Sequence, residues 1–227
     1  MSVLPDPPLR MLINGVSGAG KGWLTSEILL KHHRGKYEKI YYFSGSAKVD
    51  TNLSPIVEYA TKHLNQDPET VLYDSWDETV LGKIIDQQTR IVEHLRQKKS
   101  KKKFYICIVC DDFASERRAV RGGSLEKLFL RGRHIWISTF VLVQQYRALG
   151  VSIRTNAQVL ITFRERSLKN LEALLEENSA LVGRNVLKRM YDMATSKPYG
   201  FLLILLTETD ANKQFYSSFE SRLSISV

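Results

Sequence analysis

Residues 15–21 read Gly-Val-Ser-Gly-Ala-Gly-Lys. The apolar run Met11-Leu12-Ile13 precedes them, and the helix-like stretch Trp23-Leu24-Thr25-Ser26-Glu27-Ile28-Leu29-Leu30 follows. Strand, glycine-rich loop, lysine and helix, in that order, make a cradle for phosphate. Glycines let the backbone curl so that successive N–H groups aim inward at anionic oxygens. The helix adds the positive end of its dipole. Lys21 adds a mobile cation for the β- and γ-phosphates. A loop that was merely flexible would need neither flanking element. The pattern G-x-x-x-x-G-K thus assigns Gly15, Val16, Ser17, Gly18, Ala19, Gly20, Lys21 and Gly22 to nucleotide binding.

Gly22 stands where this pattern usually has Ser or Thr, whose hydroxyl is a direct ligand of Mg²⁺. Three readings stay open. The metal is held through water, another side chain reaches it, or hydrolysis is weak. Thr25 and Ser17 both lie close enough in sequence to matter.

Strand-like apolar runs recur at Met11–Asn14, Lys39–Phe43, Thr70–Tyr73, Phe104–Cys110, Ile135–Val143, Val159–Phe163 and Phe201–Leu206, with helix-like stretches between most of them. Alternation of this kind predicts a mainly parallel sheet covered by helices on both faces. Ser75-Trp76-Asp77-Glu78 has capping-box spacing ahead of a helical stripe through Val80, Leu81, Ile84, Ile85, Ile91, Val92 and Leu95. Leu168, Leu171, Leu174 and Leu175 mark another amphipathic helix. Gln214–Phe219 reads as a final edge strand, residues 1–8 as an extended proline-containing leader and residues 220–227 as a frayed tail. With 227 residues, 43% of them apolar, the chain suits one domain, 1–227, and is short for two.

The formal net charge of +9 favours a polyanionic partner, but RNA, DNA and anionic membrane fit it equally. The run Arg96 to Lys103 reads as a solvated turn, with a phosphate-backbone contact as the sharper alternative. Cys107 and Cys110 lie three apart in a strand and so point to opposite faces. They make a poor metal or disulfide pair and suit a reducing compartment. No helix N-terminus follows to activate a thiolate, which argues against redox chemistry. The N-terminus lacks the charged region and apolar core of a signal peptide. Phe201 to Leu206 is far too short to span a bilayer as a helix.

Phe104-Tyr105-Ile106-Cys107-Ile108-Val109-Cys110-Asp111-Asp112 is an apolar strand ending in two carboxylates. In nucleotide hydrolases such a strand is expected beside the phosphate-loop strand, its first acid orienting Mg²⁺ and its second polarising the attacking water. Asp111 takes the metal role and Asp112 the base role, although Asp reaches less far than the more usual Glu. The next buried run, Ile135 to Val143, ends in Gln144-Gln145. An amide there can sense the γ-phosphate and orient water.

These features occur in a familiar series: phosphate loop, Asp111-Asp112, Arg131-Gly132-Arg133-His134, Gln144, then Ile153-Arg154-Thr155-Asn156 before Val159–Phe163, with Tyr199-Gly200-Phe201-Leu202-Leu203 and Lys213-Gln214-Phe215-Tyr216 closing the chain. The chain resembles the genome-packaging ATPases of large DNA viruses and membrane-containing phages, the poxvirus type above all, within the FtsK–HerA superfamily of P-loop NTPases. The resemblance covers nearly the whole chain. It implies a RecA/FtsK-like α/β domain that uses ATP and Mg²⁺ to translocate double-stranded DNA into a capsid. It further implies a homo-oligomeric, hexameric ring, contact with capsid vertex proteins, and a place in the virion or the host cell interior. Lys21 would bind phosphate, Asp111 the Mg²⁺ shell, Asp112 the water, and Gln144 would couple nucleotide state to movement. Arg133 would be the arginine finger reaching a neighbouring subunit, with Arg131 and Arg154 as weaker candidates.

Two other classes fit part of the sequence. Gly18-Ala19-Gly20-Lys21-Gly22 also resembles the phosphate loop of adenylate kinases. Such a kinase would want an arginine-bearing lid and an Asp-Gly-Phe-Pro-Arg-like stretch, and neither is found. A nucleotide-binding, DNA-associated protein that has lost turnover through Gly22 is the non-enzymatic reading.

Overall fold

A computed structural model describes residues 3–47, 49–113 and 123–224. The apolar runs form eight strands: β1 (Arg10–Asn14), β2 (Lys39–Ser44), β3 (Leu72–Tyr73), β4 (Ile106–Asp111), β5 (Ile137–Val143), β6 (Val159–Phe163), β7 (Phe201–Leu205) and β8 (Phe215–Tyr216). They make a single sheet in the order β3-β2-β4-β5-β1-β6-β7-β8. Strands β1 to β6 run parallel, and β7 and β8 add an antiparallel edge.

The helices are α1 (Lys21–Glu27), α2 (Ser54–Leu64), α3 (Glu78–Gln97), α4 (Ser124–Arg131), α5 (Val151–Asn156), α6 (Leu168–Asn178) and α7 (Arg184–Ala194). Alternation along each strand divides the core in two. Leu12, Ile108 and Leu160 face α3 to α7 on one side. Met11, Ile13, Val109 and Ile161 face α1 and α2 on the other. Cys107 and Cys110 fall in opposite halves, both buried, as their spacing requires.

Several expectations shift at the edges. The strand expected from Phe104 begins at Ile106 and ends on Asp111 itself. The one expected from Ile135 begins at Ile137, because residues 132–135 make a 3₁₀ turn and Trp136 takes a left-handed φ of 59°. Only Leu72 and Tyr73 of the run from Thr70 pair with β2. The cap of α3 is Asp77, whose carboxylate accepts from the N–H groups of Thr79 and Val80; Ser75 lies two residues outside it. The edge strand expected at Gln214–Phe219 is confined to β8.

The chain ends pack more closely than their composition suggests. Leu4 and Leu9 of the leader are buried, and Ser138 Oγ accepts from Leu9 N–H at 2.9 Å. At the other end Leu223 is buried and its N–H donates to Phe215 O, which pins the tail there, while residues 220–222 and 224 are exposed. The first two leader residues and the last three tail residues fall outside the described residues.

One topological expectation is corrected. The acidic strand β4 does not adjoin β1, because β5 lies between them. Lateral order is set by which crossover helix covers which face, and apolar runs carry no record of that. Loop, acids and Gln144 still meet, because β4, β5 and β1 are parallel and all end at one edge of the sheet. In open α/β sheets that edge is where ligands bind.

Candidate nucleotide site

The loop after β1 is shaped by its glycines. Gly20 caps α1 with φ 100°, a left-handed conformation that a side chain disfavours. At Gly15 an added Cβ would lie 2.9 Å from Phe163 Cβ, so glycine lets the loop pass against β6. Gly15 N–H donates to Val143 O at 3.0 Å and ties the loop to the end of β5. Lys21 is buried, and its ammonium donates to Gly15 O at 2.8 Å and Val16 O at 3.3 Å. Burial lowers its pKa, while Asp111, Asp112 and Glu165 pull it the other way. Three carboxylates thus act on one ammonium.

Asp111 is the last residue of β4, with Ser44 of β2 opposite it in register. Its Oδ2 accepts from Tyr42 Oη at 3.3 Å and Ser44 Oγ at 3.4 Å. Burial pushes its carboxyl pKa up to about 6 against the opposing pull of Lys21. Asp112 follows with φ 63°, a left-handed position that Asp tolerates better than most residues. Its N–H donates to Leu142 O. Gln144 leaves the end of β5, and its amide donates to Asp112 Oδ2. Acid and amide therefore touch, and both sit where the phosphate loop meets β5.

The missing hydroxyl at Gly22 has a partial answer. Thr25 is fully buried and donates to Lys21 O at 2.9 Å, so its hydroxyl is spent inside α1. Ser17 is exposed in the loop. Asp50 faces the gap instead: its Oδ2 lies 4.0 Å from where a Cβ on Gly22 would be. Its Oδ1 accepts from Asn52. Among the described residues no three His, Cys, Asp or Glu side chains gather into a metal cage. Mg²⁺ needs none, since it is held by one or two carboxylates together with substrate phosphates and water. Asp111 and Asp50 fit that donor set.

The arginines divide. Arg154 is locked: its guanidinium donates to Glu177 at 2.8 and 2.6 Å and to Leu149 O, and lies over the Tyr146 ring at 5.3 Å. Arg131 is exposed at the end of α4. Arg133 is exposed in the turn before β5, at the opposite end of that seven-residue strand from Gln144. That is roughly 20 Å along the sheet, so Arg133 does not join this chain's own loop. Of the basic run, Arg96 and Gln97 close α3 and residues 98–103 lead to β4, all of them exposed.

The sequence did not single out Tyr42, Ser44, Asp50, Asn14 or Glu165. Asn14 is buried at the end of β1 and donates to Thr162 Oγ1 at 3.2 Å and Glu165 Oε1 at 2.7 Å, which holds a carboxylate on the far side of Lys21. A polar residue closing an apolar strand was the available signal for Asn14 and Ser44.

With the geometry in place, comparison with known proteins decides the family. A family model described as Poxvirus A32 protein matches residues 2–221. The chain belongs to that family. A curated relative, "Uncharacterized protein 075L" of Invertebrate iridescent virus 6, is 23% identical over 138 residues. That match takes in 60% of this chain and spans about half, 51%, of the relative's length. Among solved structures, the DNA-packaging ATPase B204 from Sulfolobus Turreted Icosahedral Virus superposes with a TM-score of 0.58 at 15% identity, covering 89% of this chain and 94% of that one. The genome packaging NTPase B204 from Sulfolobus turreted icosahedral virus 2, in complex with AMP, gives 0.55 at 19% identity, over 89% and 94%. The cytoplasmic domain of the Thermomonospora curvata Type VII Secretion ATPase EccC gives 0.53 at 15% identity, over 91% of this chain and 25% of that one. The fold of this A32-family member is thus that of FtsK-like P-loop ATPases.

Proposed function

We propose that this chain is an ATP-driven motor that moves double-stranded DNA and packages a viral genome. One observation carries the reading: the Lys21 loop, the Asp111-Asp112 pair and Gln144 meet at one sheet edge, with Gln144 bonded to Asp112. The backbone N–H groups of residues 15–21 cradle the phosphates, and Lys21 moves from the loop carbonyls to the β- and γ-oxygens. Asp111 and Asp50 would hold Mg²⁺, which screens phosphate charge when bound. Asp112 accepts a proton from the attacking water, and Gln144, bonded to that carboxylate, orients the pair. Any change in the γ-phosphate is felt at Asp112 and passed through Gln144 into the segment after β5.

A ring of copies, six in our reading, supports the rest. Arg133 stands too far from its own loop to serve it and is exposed, free to reach a neighbour. A guanidinium stabilises the charge that builds on the transferred phosphoryl group. A basic surface around a central duplex needs only phosphate contacts, because no sequence is read. Virion location and capsid vertex partners belong to the same proposal. A B204 relative was solved with ATP-gammaS, which supports ATP as the fuel.

The test is displacement of a triplex-forming strand from duplex DNA. The chain should strip it with ATP and Mg²⁺ and fail with a non-hydrolysable analogue. Equal displacement with both, or phosphorylation of AMP, would overturn the motor reading.

A further inference from the structure

Beside the phosphate loop lies a cavity of about 400 Å³ lined by Gly20, Trp23, Leu24, Phe163, Tyr199 and Phe201. We propose that it holds the base of the nucleotide, gripped by Trp23 and Tyr199, and that it grips the ring face without reading the base edge.

Position comes first. Asp111, Asp112 and Gln144 stand on β4 and β5, on one side of β1. They mark the γ-phosphate end of a bound nucleotide. Phe163 and Phe201 stand on β6 and β7, on the other side. A nucleotide laid along the loop must leave it there, base end last. Gly20 belongs to both the loop and the cavity, so the two are continuous: Tyr199 Cδ1 lies 3.3 Å from where a Cβ on Gly20 would be.

Chemistry comes second. Trp23 and Tyr199 are 60% and 72% exposed, although burying rings of this size is strongly favourable. The backbone fixes where each ring starts. Trp23 sits in the first turn of α1. Tyr199 has φ 60°, costly for an aromatic residue, and Gly200 after it would place an added Cβ 2.5 Å from Ala194 O. Phe163 and Phe201 meet edge to face at 5.9 Å and close the floor. Among the described residues the lining has no carboxylate, side-chain amide or aliphatic hydroxyl, and its side-chain polar atoms are the Trp23 indole N–H and the Tyr199 phenol, on the gripping rings themselves. Every nucleobase offers a π-face to such a site, whereas selecting one base requires polar groups paired with its edge.

This inference rests on the nucleotide reading, and the experiment separates the two. ATP, GTP and inorganic tripolyphosphate are titrated against wild type, Trp23→Ala, Trp23→Phe, Tyr199→Ala and Lys21→Ala. The readout is displacement of a fluorescent ribose-labelled ATP. Wild type should bind ATP and GTP within about tenfold of each other. Stacking on one ring contributes on the order of tenfold to a hundredfold in affinity. Trp23→Ala and Tyr199→Ala should lose that much for ATP and GTP and nothing for tripolyphosphate, and Trp23→Phe should stay near wild type. Lys21→Ala should lose all three ligands. Three outcomes overturn the base site: unchanged ATP affinity in both alanine variants, equal loss of ATP and tripolyphosphate, or ATP preferred over GTP by more than a hundredfold. If the alanine variants instead lose only self-association, the aromatic pair is a subunit contact and the proposal fails. A wild type that binds neither ATP nor tripolyphosphate rejects the nucleotide site itself.

Discussion

Two positions show how much of the proposed chemistry rests on single residues. Gln144 donates to Asp112 and, among the described residues, to no loop carbonyl, so the proposed motor uses it in turnover rather than in binding. Gln144→Ala should keep ATP affinity within a few-fold and slow hydrolysis by roughly a hundredfold or more, the usual cost of losing acid–base support. Equal loss of binding and rate would place it in the phosphate cradle instead. Gly22 is the reverse case, a residue whose missing atoms matter. Among the described residues a Cβ there meets only Asp50 Oδ2, at 4.0 Å, so Gly22→Ser fits without strain. The added hydroxyl should lower the Mg²⁺ concentration needed for half-maximal turnover severalfold. An unchanged requirement would show that the shell is complete without it. The loop, Asp111, Asp112 and Gln144 were legible in the sequence because each sits in a short local pattern. Tyr42 and Asp50 were not, since each reaches the site only once β2 pairs with β4 and the following turn folds back over α1.

Among elements, the strands were legible from apolar runs and their order was not. Ile137–Val143 reads as one more buried strand, and nothing in its composition says that it parts β1 from β4. The leader shows the same limit. Its prolines suggested an extended arm, yet it docks on the turn after α1 through His33. That imidazole is 1% exposed, and its two nitrogens lie 3.1 Å from Tyr37 Oη and 3.1 Å from Pro5 O. Burial, helped by nearby Lys36, pushes its pKa down to about 4 from 6.5. The folded state therefore binds fewer protons than the unfolded chain between those values. Stability is full above pH 6.5 and falls as the pH drops toward 4. This one group should remove about 2 kcal/mol by pH 5, read as a lower urea midpoint. His33→Gln should flatten that part of the slope, and an unaltered slope would contradict the assignment.

At the scale of the whole molecule, one copy carries the loop and acids at one end of the sheet and Arg133 at the other. If Arg133 acts as proposed, a single copy is incomplete and a ring of them is not. Lys21→Ala and Arg133→Ala should each abolish turnover alone, the second with nucleotide binding nearly intact. Mixed together they should recover a measurable fraction, because an Arg133 from one subunit can serve an intact loop in the next. No recovery from a mixture shown to co-assemble would remove Arg133 from the mechanism. In the proposed motor, Lys21 and the paired aspartates act on one triphosphate to drive the chain along DNA. Steady-state ATP hydrolysis with and without duplex DNA tests this most directly. Duplex should stimulate the rate severalfold, and Lys21→Ala should show no hydrolysis in either condition. A wild-type rate indifferent to DNA, or one that survives loss of Lys21, would contradict it.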